Sequence, residues 1–232
     1  MKKWTAWLLI LTVAVAGCRP QASPASVTPT TAATLSAIPA TVGTPAVDKD
    51  FNDPAETWCQ SLSFEFGDFY CQGGELHLVA KGIDNIAASD GGLGVFKNFI
   101  LQAQMRLIGS QGAYGLAFRG NGDGSKGTRT YYIFQIHPDG KYRLIVWSQN
   151  GSITELIPWT GSTAIKQGET ANLLEVVAQD TRLTLYANNQ KLSSLTDTFY
   201  ATGSVGPVAL EEGHAAISVF MVWELPAVAS VH

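Results

Sequence analysis

Five side chains that suit the binding of a polar ligand alternate with apolar residues along three short segments. They are Arg119, Tyr131, Gln135, Arg143 and Trp147. Aromatic rings stack on the apolar faces of sugars, whereas Arg and Gln side chains can hydrogen-bond to hydroxyl groups. If the three segments are neighbouring strands, the alternation places all five side chains on one outward sheet face. We therefore predict a ligand-binding surface there; the alternative is that Tyr131 and Trp147 are covered by a loop or are ordinary exposed aromatic residues.

Catalytic residues are harder to assign, because the acidic side chains are scattered along the chain. Glu155, Glu169 and Glu175 stand alone, and Glu211 and Glu212 lie in a glycine-containing segment that reads as a loop. The Gly-x-Ser-x-Gly motif that presents the nucleophile of many serine hydrolases is missing. We predict no catalytic residue, although a pair of carboxylates brought together by folding remains open.

The histidines do not predict a zinc site. None of them has a histidine two or four positions away, which is the spacing that places two ligands on one strand or helix face. The four positions are His77, His137, His214 and His232.

Asn121 and Asp123 are the candidate metal ligands. In Asn121-Gly122-Asp123-Gly124-Ser125 the oxygen-bearing side chains occupy alternate positions, as in the first half of a calcium loop. The closing glutamate of such a loop is absent, and Lys126 adds a positive charge nearby. A plain Gly-rich hairpin loop is the simpler interpretation, and calcium is the one cofactor that the sequence suggests.

The N-terminal segment has the features of an export signal. Lys2 and Lys3 precede an apolar run, residues 6–16, that is too short to span a bilayer as a permanent helix. The string Val15-Ala16-Gly17-Cys18 resembles the lipobox of bacterial lipoproteins. That resemblance implies that residues 1–17 are removed, that Cys18 carries the lipid, and that the protein sits outside the cytoplasm on the membrane of the cell envelope. An ordinary secretory peptide with an incidental cysteine is the alternative.

Cys59 and Cys71 are then an even pair in an oxidising compartment, and we predict that they form a disulfide. By the chain-entropy model, closing so short a loop stabilises the fold by roughly 3 kcal/mol. Two buried free thiols are the alternative. Their spacing without histidine neighbours is not that of a zinc site.

Composition divides the remainder of the chain into a tether and one domain. Residues 18–48 are mostly Pro, Ala, Ser, Thr and Val after the cysteine, and such a segment cannot bury enough apolar area to order itself. We expect a folded domain over residues 49–226 and a short tail over 227–232. Net charge is −4 with 15% charged residues and no basic stripe, so nucleic acid is not an expected partner.

Within the domain, apolar residues alternate over about eleven short segments separated by turn signals such as Pro138-Asp139-Gly140 and Asn150-Gly151. This pattern predicts an all-β, two-sheet antiparallel jelly-roll sandwich. The predicted strands are Gly74–Ala80, Phe99–Ile108, Tyr114–Arg119, Thr130–His137, Tyr142–Trp147, Ile153–Ile157, Asn172–Ala178, Arg182–Ala187, Lys191–Leu195, Val205–Leu210 and Ala215–Trp223. Nine alternating residues are predicted to face the core: Tyr114, Leu116, Phe118, Tyr132, Phe134, Ile136, Tyr142, Leu144 and Val146.

Several strings in this domain resemble the concanavalin-A-like lectin/glucanase superfamily, and most closely its family-16-hydrolase-like and 3-keto-disaccharide hydrolase-like domains. They include Gly115-Leu116-Ala117-Phe118-Arg119, Tyr131-Tyr132-Ile133-Phe134-Gln135-Ile136 and Leu183-Thr184-Leu185-Tyr186-Ala187-Asn188. The resemblance spans residues 51–224 and implies two curved antiparallel sheets, one of them concave. The Glu-x-Asp-x-(x)-Glu string of the retaining family-16 glucanases is absent.

Together these features favour a membrane-anchored, extracytoplasmic binding module that contacts a carbohydrate or a cell-envelope protein. A glycoside-active enzyme of the keto-disaccharide hydrolase type is the first alternative. An accessory or sensory scaffold without a glycan ligand is the second. Superfamily membership alone does not choose among them, because function resides in the site and not in the fold.

Overall fold

The computed structural model describes residues 42–53, 55–82, 86–88, 92–121 and 129–227, with residues 86–88 described by their backbone alone. Over these residues the chain forms fifteen antiparallel strands in two sheets and one short 3-10 turn, Thr57–Cys59. The predicted all-β sandwich is therefore confirmed. The sequence-based predictions at Cys18, Asp123 and the N-terminal signal segment fall outside the described residues.

The larger sheet has nine strands in the order β13-β12-β11-β6-β15-β4-β3-β2, and β1 also pairs with β15. Its strands are β1 (Val47–Lys49), β2 (Leu62–Ser63), β3 (Gly67–Gln72), β4 (Glu75–Ala80), β6 (Phe99–Ile108), β11 (Asn172–Gln179), β12 (Arg182–Ala187), β13 (Gln190–Thr196) and β15 (His214–Glu224).

The smaller sheet has six strands in the order β10-β9-β8-β7-β14-β5. Its strands are β5 (Ile86–Ala88), β7 (Ala113–Asn121), β8 (Thr130–His137), β9 (Lys141–Ser148), β10 (Ile153–Gly161) and β14 (Ser204–Leu210). The three predicted binding segments lie on β7, β8 and β9, which are direct neighbours.

The core lies between the two sheets and follows the predicted alternation. All nine residues predicted to face inward belong to the main buried cluster. One polar pair enters it: Asn172 Nδ2 donates to Tyr114 Oη at 2.8 Å, and burial raises the pKa of Tyr114 to about 12. This interior fixes the orientation of β7, β8 and β9, and so determines which of their side chains face outward.

Sequence reasoning overlooked β1, β2, β3 and β5. These strands are short or weakly patterned: β1 has three residues, and both residues of the two-residue strand β2 are exposed. They are ordered by pairing with longer strands, as in the register of Phe69 of β3 opposite Leu78 of β4. A two- or three-residue segment carries too little alternation to be recognised from its own sequence.

The predicted disulfide is confirmed. Cys59 and Cys71 are bonded, with their Cα atoms 4.7 Å apart, and the bond ties the 3-10 turn to β3. Trp58, beside this bond, is buried against Phe220 with ring centroids 5.1 Å apart. In the part of the chain that the structure covers, no helix has the length and apolar character needed to cross a membrane.

Candidate ligand-binding face

The outward face of the six-stranded sheet is ordered by its strand register. Tyr131, Ile133 and Gln135 of β8 stand directly opposite Trp147, Ile145 and Arg143 of β9. All six point away from the core, since their neighbours along each strand point into it. These six residues, together with the residues that contact them, are called the candidate face below.

One end of the candidate face is aromatic. The rings of Tyr131 and Trp147 stack with centroids 6.2 Å apart and an angle of 30° between their planes. Tyr131 is only 6% exposed, whereas Trp147 is partly exposed. Ile153 of β10 stands opposite Trp147 and is 54% exposed, so it extends this end toward solvent.

The Tyr131 ring lies on the backbone of β7, where Gly120 makes room for it. A Cβ atom at Gly120 would lie 2.4 Å from Tyr131 Cε1, closer than side-chain atoms approach one another. The aromatic end of the face thus depends on a glycine as well as on the rings.

The other end is polar and forms a closed hydrogen-bonded triad. Arg143 Nε donates to Gln135 Oε1 at 2.6 Å, and Gln135 Nε2 donates to Glu211 Oε1 at 3.1 Å. Arg143 Nη2 completes the triad by donating to Glu211 Oε1 at 3.0 Å. The Arg143 guanidinium also lies 4.6 Å from the ring centroid of Trp159, which stacks beneath it. Charge-assisted bonds of this kind hold the three polar groups in one geometry.

Glu211 is the functional candidate that sequence reasoning missed. It occupies the tight turn between β14 and β15, and both Glu211 and Glu212 have positive φ, 57° and 62°. Asn and Gly are the usual residues in such turns, because other side chains cost about 1–2 kcal/mol in this conformation. Two glutamates before Gly213 are an unusual turn sequence. This was the sequence signal that could have identified Glu211 as a functional candidate. The strained turn presents the Glu211 carboxylate to Arg143 and Gln135.

A buried apolar strip separates the two ends. Ala117, Ile133, Ile145 and Val208 are 1% exposed or less and form one small cluster with Tyr131, to which Trp147 is packed. The aromatic row and the polar row are four positions apart along the strand, or about 13 Å at about 3.3 Å per residue. The face therefore has an aromatic end, a buried apolar strip and a charged hydrogen-bonding end. Its solvent-accessible side chains include Trp147 at the aromatic end and Arg143 and Glu211 at the polar end, where they are 16% and 37% exposed.

Arg119 was expected on this face, and the structure contradicts that placement. β7 is irregular between Phe118 and Asn121, and Arg119 has a φ of 49°. The side chain is fully buried and donates to the carbonyl oxygens of Tyr200 (3.1 Å), Lys97 (3.1 Å) and Asp180 (2.6 Å). A bulge shifts the side-chain alternation, and so Arg119 leaves the face that Ala117 occupies.

Only one of the two candidate calcium ligands lies in the described residues. Asn121 Nδ2 donates to the carbonyl oxygens of Arg119 at 2.8 Å and Thr202 at 3.0 Å. The Asn121 side chain thus supports the bulge through its amide group. A calcium site at Asn121 and Asp123 stays a prediction.

The other glutamates singled out in the sequence are dispersed over the fold. Glu155 is exposed on edge strand β10, opposite Ile145, and Glu169 accepts from Gly109 N at 2.8 Å. Glu175 is 4% exposed on the outward side of the nine-stranded sheet, where Gln102 Nε2 donates to it at 2.9 Å. Burial raises the pKa of Glu175, and its side chain lines a cavity of about 530 Å³ beside Tyr186.

Comparison with solved structures identifies several sandwiches of the same kind. A Bacillus subtilis protein of unknown function with a galectin-like fold has a TM-score of 0.53 at 12% identity, covering 70% of this chain and 88% of that one. A family 16 endo-glucanase from Bacteroides ovatus has a TM-score of 0.51 at 12% identity, covering 76% and 99%. An endo-β-galactosidase from Clostridium perfringens that releases GlcNAcα1-4Gal has a TM-score of 0.52 at 13% identity, covering 76% and 61%. At such identities the similarity shows the fold.

The sequence itself carries a more specific relationship. A search of curated proteins found no match to this chain. The family model of the 3-keto-alpha-glucoside-1,2-lyase-like domain, however, matches residues 54–221, which include every strand from β2 to β14 and most of β15. The chain therefore belongs to the family of 3-keto-alpha-glucoside-1,2-lyase-like domains, in agreement with the resemblance drawn from its motifs.

Proposed function

We propose that this protein is an extracytoplasmic carbohydrate-binding module, held on a membrane by lipidated Cys18, that binds a glycan on the candidate face. Its family and its fold support a role connected with carbohydrates. The observation that carries the proposal is the register of β8 and β9, which sets the Tyr131–Trp147 stack in line with the Gln135–Arg143 pair.

The two ends of the face have complementary tasks in this proposal. A sugar ring stacks on Trp147, whose partner Tyr131 holds the indole in place from the buried side. Hydroxyl groups of a sugar further along the glycan chain reach the triad at the other end, where Arg143 and Glu211 offer a donor and an acceptor. Because Arg143 is already oriented by Gln135, Glu211 and Trp159, little side-chain entropy is lost when a ligand binds.

The binding test uses a glycan array probed with the full chain, followed by calorimetry on any glycan that binds. Trp147→Ala and Arg143→Ala should each weaken binding by at least about tenfold, which corresponds to about 1.4 kcal/mol. Phe199→Ala is the matched aromatic control, because Phe199 is 55% exposed and contacts Tyr200, which packs on the core-facing Tyr132. An array without any signal, together with co-purification of an envelope protein, would favour the scaffold alternative.

A second candidate function is glycoside cleavage of the kind named by the family. The observation in its favour is the Glu211 carboxylate, which a strained turn holds beside Arg143. A carboxylate so placed could act as a base on a bound sugar. Glu211→Gln separates the two functions: it should abolish turnover of a 3-keto-glucoside if the protein is an enzyme, and reduce glycan affinity without any turnover to lose if it is a binding module.

The lipid anchor is tested independently of the ligand. Metabolic labelling with a radioactive fatty acid should label the wild-type protein and not Cys18→Ser. The same substitution should move the protein from the membrane fraction to the soluble fraction. Retention of Cys18→Ser in the membrane fraction would refute the anchor.

A further inference from the structure

On the outward side of the nine-stranded sheet, three side chains from three strands converge at one point. His77 Nδ1 lies 2.9 Å from His214 Nε2, and Tyr70 Oη lies 3.4 Å from the same His214 nitrogen. The Tyr70 and His77 rings stack in parallel with centroids 4.8 Å apart. The two histidines are 137 positions apart in the sequence, so no spacing rule could have paired them.

The hydrogen bond on the far side of His77 determines its tautomer. His77 Nε2 lies 3.3 Å from the Gln72 carbonyl oxygen, which can only accept. The proton of a neutral His77 is therefore on Nε2, and its Nδ1 accepts the hydrogen bond that His214 Nε2 donates in the metal-free protein. Histidines that ligate metals are held in this way, with the second ring nitrogen donating to a backbone carbonyl or a carboxylate.

The separations match those between ligands that share one metal ion. With metal–nitrogen bonds of about 2.0–2.1 Å, two ligands are about 2.9 Å apart at a right angle and about 3.3 Å apart at the tetrahedral angle. The pair His77 Nδ1 and His214 Nε2 matches the first separation, and Tyr70 Oη with His214 Nε2 matches the second. Among the described residues, no three His, Cys, Asp or Glu side chains converge in this way, and the Tyr70 oxygen is the third donor beside the two histidines.

We propose that Tyr70, His77 and His214 form a surface site for a divalent transition-metal ion, with Cu²⁺ preferred over Zn²⁺. Two imidazole nitrogens, one phenolate oxygen and a water molecule are a donor set that suits Cu²⁺, which also binds most tightly in the order of first-row metals. On binding, Tyr70 releases its proton to solvent, and the His214 proton moves from Nε2 to Nδ1. His214 and Tyr70 are partly exposed, which gives the ion access.

The surrounding charges allow a cation here. Arg106 is in register with Ala216 and His77, but it is paired with Glu75 through hydrogen bonds of 3.2 Å and 2.6 Å. The pair leaves little net positive charge next to the histidines.

The test is a titration of the full chain, purified in detergent, with CuCl₂ and then with ZnCl₂, followed by calorimetry and electron paramagnetic resonance. The proposal predicts one Cu²⁺ bound with nitrogen hyperfine splitting and weaker Zn²⁺ binding. His214→Gln should weaken Cu²⁺ binding by more than about tenfold, because losing a ligand exceeds the usual effect of losing a supporting group. Tyr70→Phe should keep the nitrogen splitting but lose the phenolate-to-copper absorption band.

His137→Gln is the matched control, because His137 is an exposed histidine that pairs with Asp139 on the other sheet. It should leave the Cu²⁺ affinity unchanged. Equal affinities for wild type and His214→Gln would overturn the proposal, as would loss of binding in His137→Gln alone. Circular dichroism of the metal-free His214→Gln protein verifies its fold, and Tyr70→Phe supplies a second variant at a partly exposed position.

Discussion

Arg119 and Arg143 were predicted to share one surface, yet they have opposite environments. Arg143 stays on the outward face of the six-stranded sheet, where it binds side chains and its own side chain is 16% exposed. Arg119 is fully buried and binds three backbone carbonyl oxygens from separate loops and turns. The comparison separates residues that close the sandwich from residues that are available to a ligand.

The difference originates in the backbone. Arg143 lies in a regular part of β9, where every residue from Lys141 to Ser148 pairs in unbroken register with β8. Arg119 lies at a bulge, where the register of β7 is interrupted and φ is positive. Alternation thus predicts the orientation of a side chain only as far as the register continues.

The largest expected effect is that of Arg119→Ala. Removing this buried side chain takes the charged donor from three carbonyl oxygens, so the free energy of unfolding should fall by at least about 3 kcal/mol. Chemical denaturation measures it, with Arg182→Ala as the control: Arg182 is exposed and makes one hydrogen bond, to Ser194 Oγ at 3.2 Å. A loss below about 1 kcal/mol for Arg119→Ala would mean that this arginine does not hold the sandwich closed.

Tyr132→Phe should have the next largest effect, in the same region. The Tyr132 hydroxyl donates to Asp197 Oδ1 and accepts from Tyr200 N at 3.1 Å, and so it connects β8 to the loop that contains Tyr200. Loss of a hydrogen bond to a charged group should lower the free energy of unfolding by about 1.5–3 kcal/mol. Glycan binding should persist, since Tyr132 faces the core. Loss of glycan binding with an unchanged free energy of unfolding would show that Tyr132 serves the ligand site and does not hold the sandwich closed.

Arg143→Ala should have the opposite effects: a large loss of glycan affinity and a small loss of stability. Its bonds lie at the edge of a partly exposed network, so the free energy of unfolding should fall by no more than about 1 kcal/mol while glycan affinity falls at least about tenfold. Denaturation and calorimetry on the same preparation measure both quantities. A stability loss as large as that of Arg119→Ala would show that the two arginines have one structural role.

The smallest expected effect concerns the pH dependence of stability and the buried Glu175. Burial raises its pKa in the folded protein above the ordinary 4.5, whereas the unfolded chain has the ordinary value. Unfolding therefore releases a proton at pH values between the two, and stability falls as the pH rises through the window that begins near 4.5. Glu175→Gln should remove this loss, so its advantage in Tm over the wild type should be larger at pH 7 than at pH 4. A smaller advantage at pH 7 would show that Glu175 is stabilised as the charged form.

Much of the fold could be predicted from the sequence because alternation is a local property. The nine core residues and the strands Phe99–Ile108, Thr130–His137 and Arg182–Ala187 were predicted with the bounds that the structure has. The candidate face was predicted in part: Tyr131, Gln135, Arg143 and Trp147 share it, while the bulge removes Arg119.

The remainder depends on contacts between distant parts of the chain. Glu211 joins Arg143 across 68 positions, and His77 meets His214 across 137. Neither contact leaves a periodic signal in the sequence, because each one is produced by the order of strands in a sheet. The two consecutive glutamates before Gly213 were the one local sign of the contact between Glu211 and Arg143.

The central claim is that ligand binds on the outward face of the six-stranded sheet, and the indole N–H signals of the tryptophans test it directly. Trp147 and Trp159 lie on that face, whereas Trp58 and Trp223 belong to the nine-stranded side and its core. A two-dimensional ¹⁵N–¹H spectrum, recorded while a glycan that bound on the array is added, should shift the Trp147 and Trp159 signals and leave the Trp58 and Trp223 signals in place. Shifts confined to Trp223 would contradict the account, because they would put the ligand on the opposite sheet.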